Sequence, residues 1–243
     1  MKKRSKDHLG GKSVIEHLKE ARIRGALAST EMHGTEMAGH LAAGADAARE
    51  TAYLLGILYL LVGHSFWILF IAACGFLIWK IGRSALLGWA RLERLHRLIE
   101  EERWEIEHDR AQEEEEISAL YQVKGFSGQL LKDVISTLAS DDNRLLRVML
   151  EEEMGLTLEV YEHPLKQCLG AAVGVLFATL FCLLGFLGGL WSMGIAIGMI
   201  CAFSAWMMAY LQKNRVMEAV IWNLALIGFG LSATYLLKGL IVL

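Results

Sequence analysis

Three pairs of side chains stand out for their chemistry: Glu102/Glu105, Glu113/Glu116 and Met149/Glu153. Two are ExxE pairs and the third is spaced i,i+4. Both spacings put the two side chains on one face of a helix. Carboxylates gathered at one point repel unless a cation joins them. Divalent iron, manganese or zinc accepts such oxygen ligands, and a thioether beside them favours softer ions over magnesium and calcium. All six residues lie in a polar, carboxylate-rich stretch, Glu100–Gly155, with long apolar segments on both sides. The stretch also reads as a solvated glutamate face on a helix extension. Spacing alone leaves the two readings even.

Which reading holds depends on how the chain turns. On one continuous helix the two ExxE pairs, eleven residues apart, would sit about 16 Å apart along the axis, too far for one ion. Asp109 offers an N-cap with Gln112 three residues on, a capping box. A turn there lets the pairs face each other. The pattern predicts a helix through Arg91–Glu107, a second from about Arg110 to Val123 stopping at Gly125, and a third capped by Ser127 and running to about Ala139. A fourth, capped by Asp141 or Asp142, ends at Met154 before Gly155 and brings Met149 and Glu153 to a third side of the site.

The flanks are apolar. The 243 residues are 54% hydrophobic, with one Pro and 24 Gly, and the mean hydropathy is +0.38. Soluble domains are less apolar. The net charge of -3 hides a segregation: basic residues collect in the first 25 positions, acidic ones in 100–118. A basic nucleic-acid surface is not indicated. Cys74, Cys168, Cys182 and Cys201 all fall in apolar segments without CxxC spacing and read as packed thiols. No Ser/His/Asp or Cys/His set and no phosphate loop is present. Glu105/His108 fits the Glu-x-x-His spacing of di-iron oxidases once, without a second pair. An enzyme is therefore not expected.

Residues 1–12 read as a basic arm and Ser13–Gly25 as an amphipathic helix for the bilayer surface or the acidic stretch. Glu31–His40 interleaves Met, His and Glu, either to capture metal or as a polar lead-in. Thr51–Trp79 carries no Asp, Glu, Lys or Arg; it is too long for one span and short for two. A turn at Val62–Ser65 resolves this into a span from near Leu41 and a second from Ser65 to about Leu87. Lys80 and Arg83 then lie near a span end, where they can snorkel. Three more spans follow: Leu165–Leu187, Leu190–Leu211 and Val216–Leu243. Gly170/Gly174, Gly185/Gly189 and Gly194/Gly198 are small-xxx-small pairs suited to helix contacts. The basic arm, the acidic stretch and Lys213/Arg215 share one side, cytoplasmic by the positive-inside rule. Asp46 falls inside the first span, where a carboxylate is costly. It either faces an ion path or is neutralised by Arg49 three residues on.

The run ERWEIEHDRAQEEEEISALYQVKGFSGQLLKDVISTLASDDNRLLRVMLEEEMGL, followed by Pro164, resembles the cytoplasmic domain of the vacuolar iron transporter (VIT) family. Two ExxE helices, a Tyr-x-x-Lys-Gly-Phe-Ser segment and a Met-Leu-x-Glu-Glu helix carry the likeness. The resemblance implies a homodimer of five-span subunits that exports Fe2+ or Mn2+ from the cytosol in exchange for protons, with Zn2+ a possible surrogate. It points to Glu102, Glu105, Glu113, Glu116, Met149 and Glu153 as metal ligands, with Glu101 or Glu152 as substitutes if the register shifts. Leu150 stands where some relatives have another ligand. The family's first-span Asn-Asp-Gly is here Gly44-Ala45-Asp46-Ala47, leaving Asp46 as the transport-path carboxylate. Its second-span Gly-Glu-Tyr is absent, because Gly88 is followed by Trp89-Ala90.

The expected fold is therefore an all-α membrane protein with five transmembrane helices and a cytoplasmic helical metal-binding domain between helices 2 and 3. Its parts are an N-terminal region 1–40, spans 41–90, the acidic domain 91–163 and spans 164–243. The expected location is a multi-pass place in the lipid bilayer: a bacterial inner or plasma membrane, or a eukaryotic vacuolar-type one. The expected function is proton-coupled export of divalent metal. The alternative is a membrane-anchored metal-binding or regulatory protein that does not transport.

Overall fold

The computed structural model describes residues 16, 19–20, 22–23, 39–63, 65–156 and 163–241. The basic arm, most of the amphipathic Ser13–Gly25 segment and Glu31–Ala38 lie outside the described residues. The described chain is helical, with no strand among the described residues. The helices are α1 (His40–Val62), α2 (Phe66–His108), α3 (Arg110–Val123), α4 (Gly128–Ala139), α5 (Asp142–Val148), α6 (Pro164–Leu187), α7 (Gly189–Leu211) and α8 (Val216–Ile241). A π-helical turn, Met149–Glu153, continues α5.

The chain divides into two compact units. One holds residues 1–33 and 90–161, the acidic stretch. The other holds 34–89 and 162–243, the apolar segments.

In the apolar unit, α1 packs on α6, α7 and α8, most extensively on α6. The reason is side-chain size. Ala42, Ala43, Ala45, Ala47, Ala48 and Ala52 are buried along α1. On α6, Gly170 and Gly174 have no side chain to hold the backbones apart. A Cβ at Gly170 would lie 2.0 Å from the His40 carbonyl oxygen, and one at Gly174 would lie 2.0 Å from that of Gly44. At Gly63 the chain leaves α1 with φ +76, a left-handed conformation that suits glycine, in the segment expected to turn. Gly185 packs closely on α7, whereas among the described residues nothing lies within 4 Å of a Cβ placed at Gly194 or Gly198.

Among the described residues, four helices are long and apolar enough to cross a membrane: α2, α6, α7 and α8. The first expected span, α1, carries Asp46, Arg49 and Glu50, and its composition sets it apart from those four. Lys80 corrects a sequence expectation. It does not reach outward to an interface: it is fully buried and pairs with Glu50 at 2.9 Å. Lys238 donates to the Leu60 carbonyl at 2.6 Å, one of the terminal carbonyls that α1 leaves unpaired within its own helix.

In the acidic unit, Leu95, Leu98 and Ile106 of α2 share one core with Ile117 of α3, Leu145 and Leu146 of α5, and Met149, Leu150, Met154 and Leu156. Ile106 and Ile117 meet there because the helix stops at Asp109, whose φ of -129 and ψ of 34 leave the α region. The break is where the sequence placed it. The capping box is not: no side-chain hydrogen bond caps α3. Asp141 does cap α5, accepting from the Arg144 backbone N–H at 2.8 Å.

The glycine contacts yield a direct test. Gly170→Ala and Gly174→Ala each lower stability by about 1–3 kcal/mol, the usual result of overpacking. Gly194→Ala and Gly198→Ala leave it unchanged. Thermal denaturation in detergent reads the difference, and equal losses at all four positions would refute the packing described.

Candidate metal centre

Each sequence-predicted ligand can be placed from its helix upward. On α2, Glu102 and Glu105 are 2% and 5% exposed, on the face that also carries Ile106. On α3, the run Glu113–Glu116 offers four carboxylates, but only Glu113 and Glu116 turn inward, beside Ile117 and Leu120. Their three-residue separation puts them on one face, and Glu114 and Glu115 fall outside it.

Met149 and Glu153 come from the π-turn. The sequence predicts a plain α-helix ending at Met154. The observed turn is wider: the Met154 N–H bonds to the Met149 carbonyl at 3.3 Å. Gly155, at φ +68, then reverses the chain so that the Leu156 N–H reaches the Leu150 carbonyl at 2.9 Å. Such single π-turns recur at functional sites. Here the turn buries Met149, Leu150 and Glu153 while Glu151 and Glu152 face outward.

The outward carboxylates have cationic partners. Glu151 pairs with Arg147 at 2.9 Å, and Glu152 pairs with Lys124. The Glu152 backbone carbonyl also accepts a long hydrogen bond, 3.5 Å, from Arg22 of the amphipathic N-terminal segment. Arg110 holds the start of α3, donating to Asp142 at 2.6 Å and to the Ala139 carbonyl. The sequence reading gave no role to Arg110 or Lys124. Their partners lie 32 and 28 residues away, beyond any helical spacing.

The other four glutamates act electrostatically on Glu113. Burial pushes the Glu113 carboxyl up to about 10, and the charges of Glu102, Glu116, Glu153 and Glu105 push it the same way. Glu113 therefore holds a proton at neutral pH. Among the described residues, no group of three His, Cys, Asp or Glu side chains is arranged so as to hold a metal ion as it stands. The side chains converge on one region without closing around one point. Glu101, the substitute from a shifted register, is only partly buried, and Glu152 faces outward.

The apolar unit has its own polar centre. Arg49 donates to Asp46 on its own helix and, at 2.9 Å, to Asn223 of α8. Asp46, Arg49, Glu50, Tyr53, Asn223 and Gly230 line a groove of about 600 Å³. The sequence reading left Asp46 open between an ion path and a pairing with Arg49. The pairing is present, and it does not by itself decide the path.

A pH dependence follows from Glu113. Its folded value, about 10, lies above its ordinary 4.5. The folded state therefore binds more protons than the unfolded one between those values. The stability this group contributes is complete below 4.5 and is lost as pH rises towards 10. In chelator, the acidic unit is more protected from hydrogen exchange at pH 5.5 than at pH 8, and Glu113→Gln removes most of the difference. Greater protection at pH 8 would contradict the shift.

No curated protein sequence matches the chain. A profile of the VIT family matches residues 90–238, which includes most of the acidic unit and α6 and α7, and nearly all of α8. With its long apolar helices the protein is a multi-pass membrane protein. The match spans more than half of the sequence, and the chain belongs to the VIT family, a family of transporters.

Proposed function

We propose that the protein exports Fe2+ or Mn2+ from the cytosol by proton exchange, as a homodimer of five-span subunits. On this reading the acidic unit is cytoplasmic and α1 is the fifth span. The observation that supports the reading best is the burial of Glu102, Glu105, Glu113, Glu116 and Glu153 against one apolar core. Carboxylates buried together in an apolar core are expensive to keep. A divalent cation removes that expense.

The donor set suits the cargo. Carboxylate oxygens satisfy Mn2+ and Fe2+, and the Met149 thioether, itself buried in this core, favours them over Mg2+ and Ca2+. Coupling to protons arises at the same groups. A site that holds a proton when empty must release it when metal enters. The metal then draws together side chains that otherwise stand apart.

A second reading, metal binding at a membrane without transport, is favoured by a specific feature. The carboxylates of α1 already have cations: Asp46 pairs with Arg49, and Glu50 with Lys80.

Two measurements decide. Glu102→Ala plus Glu113→Ala in the full-length protein weakens Mn2+ or Fe2+ binding by at least tenfold, about 1.4 kcal/mol; unchanged affinity in calorimetry would remove the site. In proteoliposomes, a pH gradient drives Mn2+ uptake by the wild type, and Asp46→Asn abolishes it while metal binding in the acidic unit persists. Undiminished flux in well-folded Asp46→Asn protein would take Asp46 off the path. Wild-type protein that binds metal but moves none would establish the second reading.

A further inference from the structure

The cation position at Asp46 is filled from within the chain. Arg49 reaches back one helical turn to the Asp46 carboxylate, and its other amino group donates to Asn223 Oδ1 at 2.9 Å. The pair is mostly covered, with side-chain exposures of 22% for Arg49 and 13% for Asp46, and it lines the groove between α1 and α8. A guanidinium remains charged at every physiological pH. Only movement of the side chain clears it from Asp46. A divalent ion approaching Asp46 meets a fixed positive charge inside the distance at which it would bind.

We propose that Arg49 is a specificity-determining residue of the apolar unit: a tethered cation that occupies the cation position of Asp46, so that a free metal ion binds there only after the guanidinium has left. Asn223 is the second hold on the guanidinium. Because it sits on α8 and Asp46 on α1, a shift between these helices releases one grip or the other. Glu50, in the same groove, cannot take over as the metal's carboxylate while Lys80 holds it at 2.9 Å. The inference rests on the reading that Asp46 lies on the ion path, and it names what guards that path.

The test uses the full chain with Glu102, Glu105, Glu113, Glu116 and Glu153 changed to Gln, so that the acidic unit contributes no binding. Mn2+ binding is measured by electron paramagnetic resonance. The parent binds Mn2+ only weakly in the apolar unit. Adding Arg49→Gln tightens binding there by at least about a hundredfold, the effect of removing a unit charge a few ångströms from a divalent ion. Adding Asp46→Asn to that variant abolishes the gain. Asn223→Ala, which alters no charge, gives a smaller gain in the same direction, and it decides the matter should Arg49→Gln fail to assemble by size-exclusion chromatography. No gain from either variant would overturn the proposal, as would a gain that survives Asp46→Asn. Tighter Mn2+ binding in Arg49→Gln without flux in proteoliposomes would uphold Arg49 as the occupant and defeat transport through Asp46.

Discussion

Like-charge burial is the constraint on which the acidic unit turns. Five glutamates from three elements are withdrawn from water among Leu95, Leu98, Ile106, Ile117, Met149 and Leu150. Such groups stay folded inward only if protons or a cation offset the repulsion. The surrounding structure makes the arrangement possible. The break at Asp109 turns α3 back on α2, and the π-turn presents Met149 and Glu153 together. Arg110 and Lys124 anchor the two ends of α3 through residues on the outer surface.

The apolar unit follows the opposite logic. There each carboxylate of α1 has a cation beside it, Asp46 with Arg49 and Glu50 with Lys80, and the backbone of α6 lies against α1 at Gly170 and Gly174. A helix carrying three charged side chains is stabilised by neutralising them locally and by packing small residues on its remaining face. The two units thus treat acidic side chains differently. One buries five of them against a shared core, and the other sets a cation beside Asp46 and Glu50. On the proposed function the first collects metal and the second governs its passage.

Much of this was legible in the sequence. Helix ends at Val123 and Ala139, the turn at Gly63 and the inward pairs of each ExxE follow from local rules: spacing, capping and glycine. The inward choice of Glu113 and Glu116 from four consecutive glutamates is fixed by helical periodicity together with Ile117 and Leu120. What escaped depends on distant partners. Lys80 finds Glu50 thirty positions away, so its side chain is buried where the sequence suggested an interface. Arg110 and Asp142 meet for the same reason. The π-turn escaped because a single wide turn carries no residue pattern distinct from an α-helix.

The measurement closest to the central claim is the proton count of metal binding. Calorimetric titration of Mn2+ into the full-length protein at pH 7, in buffers of different ionisation enthalpy, gives the protons released per ion. Because Glu113 is held protonated by burial and by its four acidic neighbours, about one proton leaves per ion bound, and Glu113→Gln abolishes that release. Mn2+ binding with no proton release, or release unchanged in Glu113→Gln, would contradict the account.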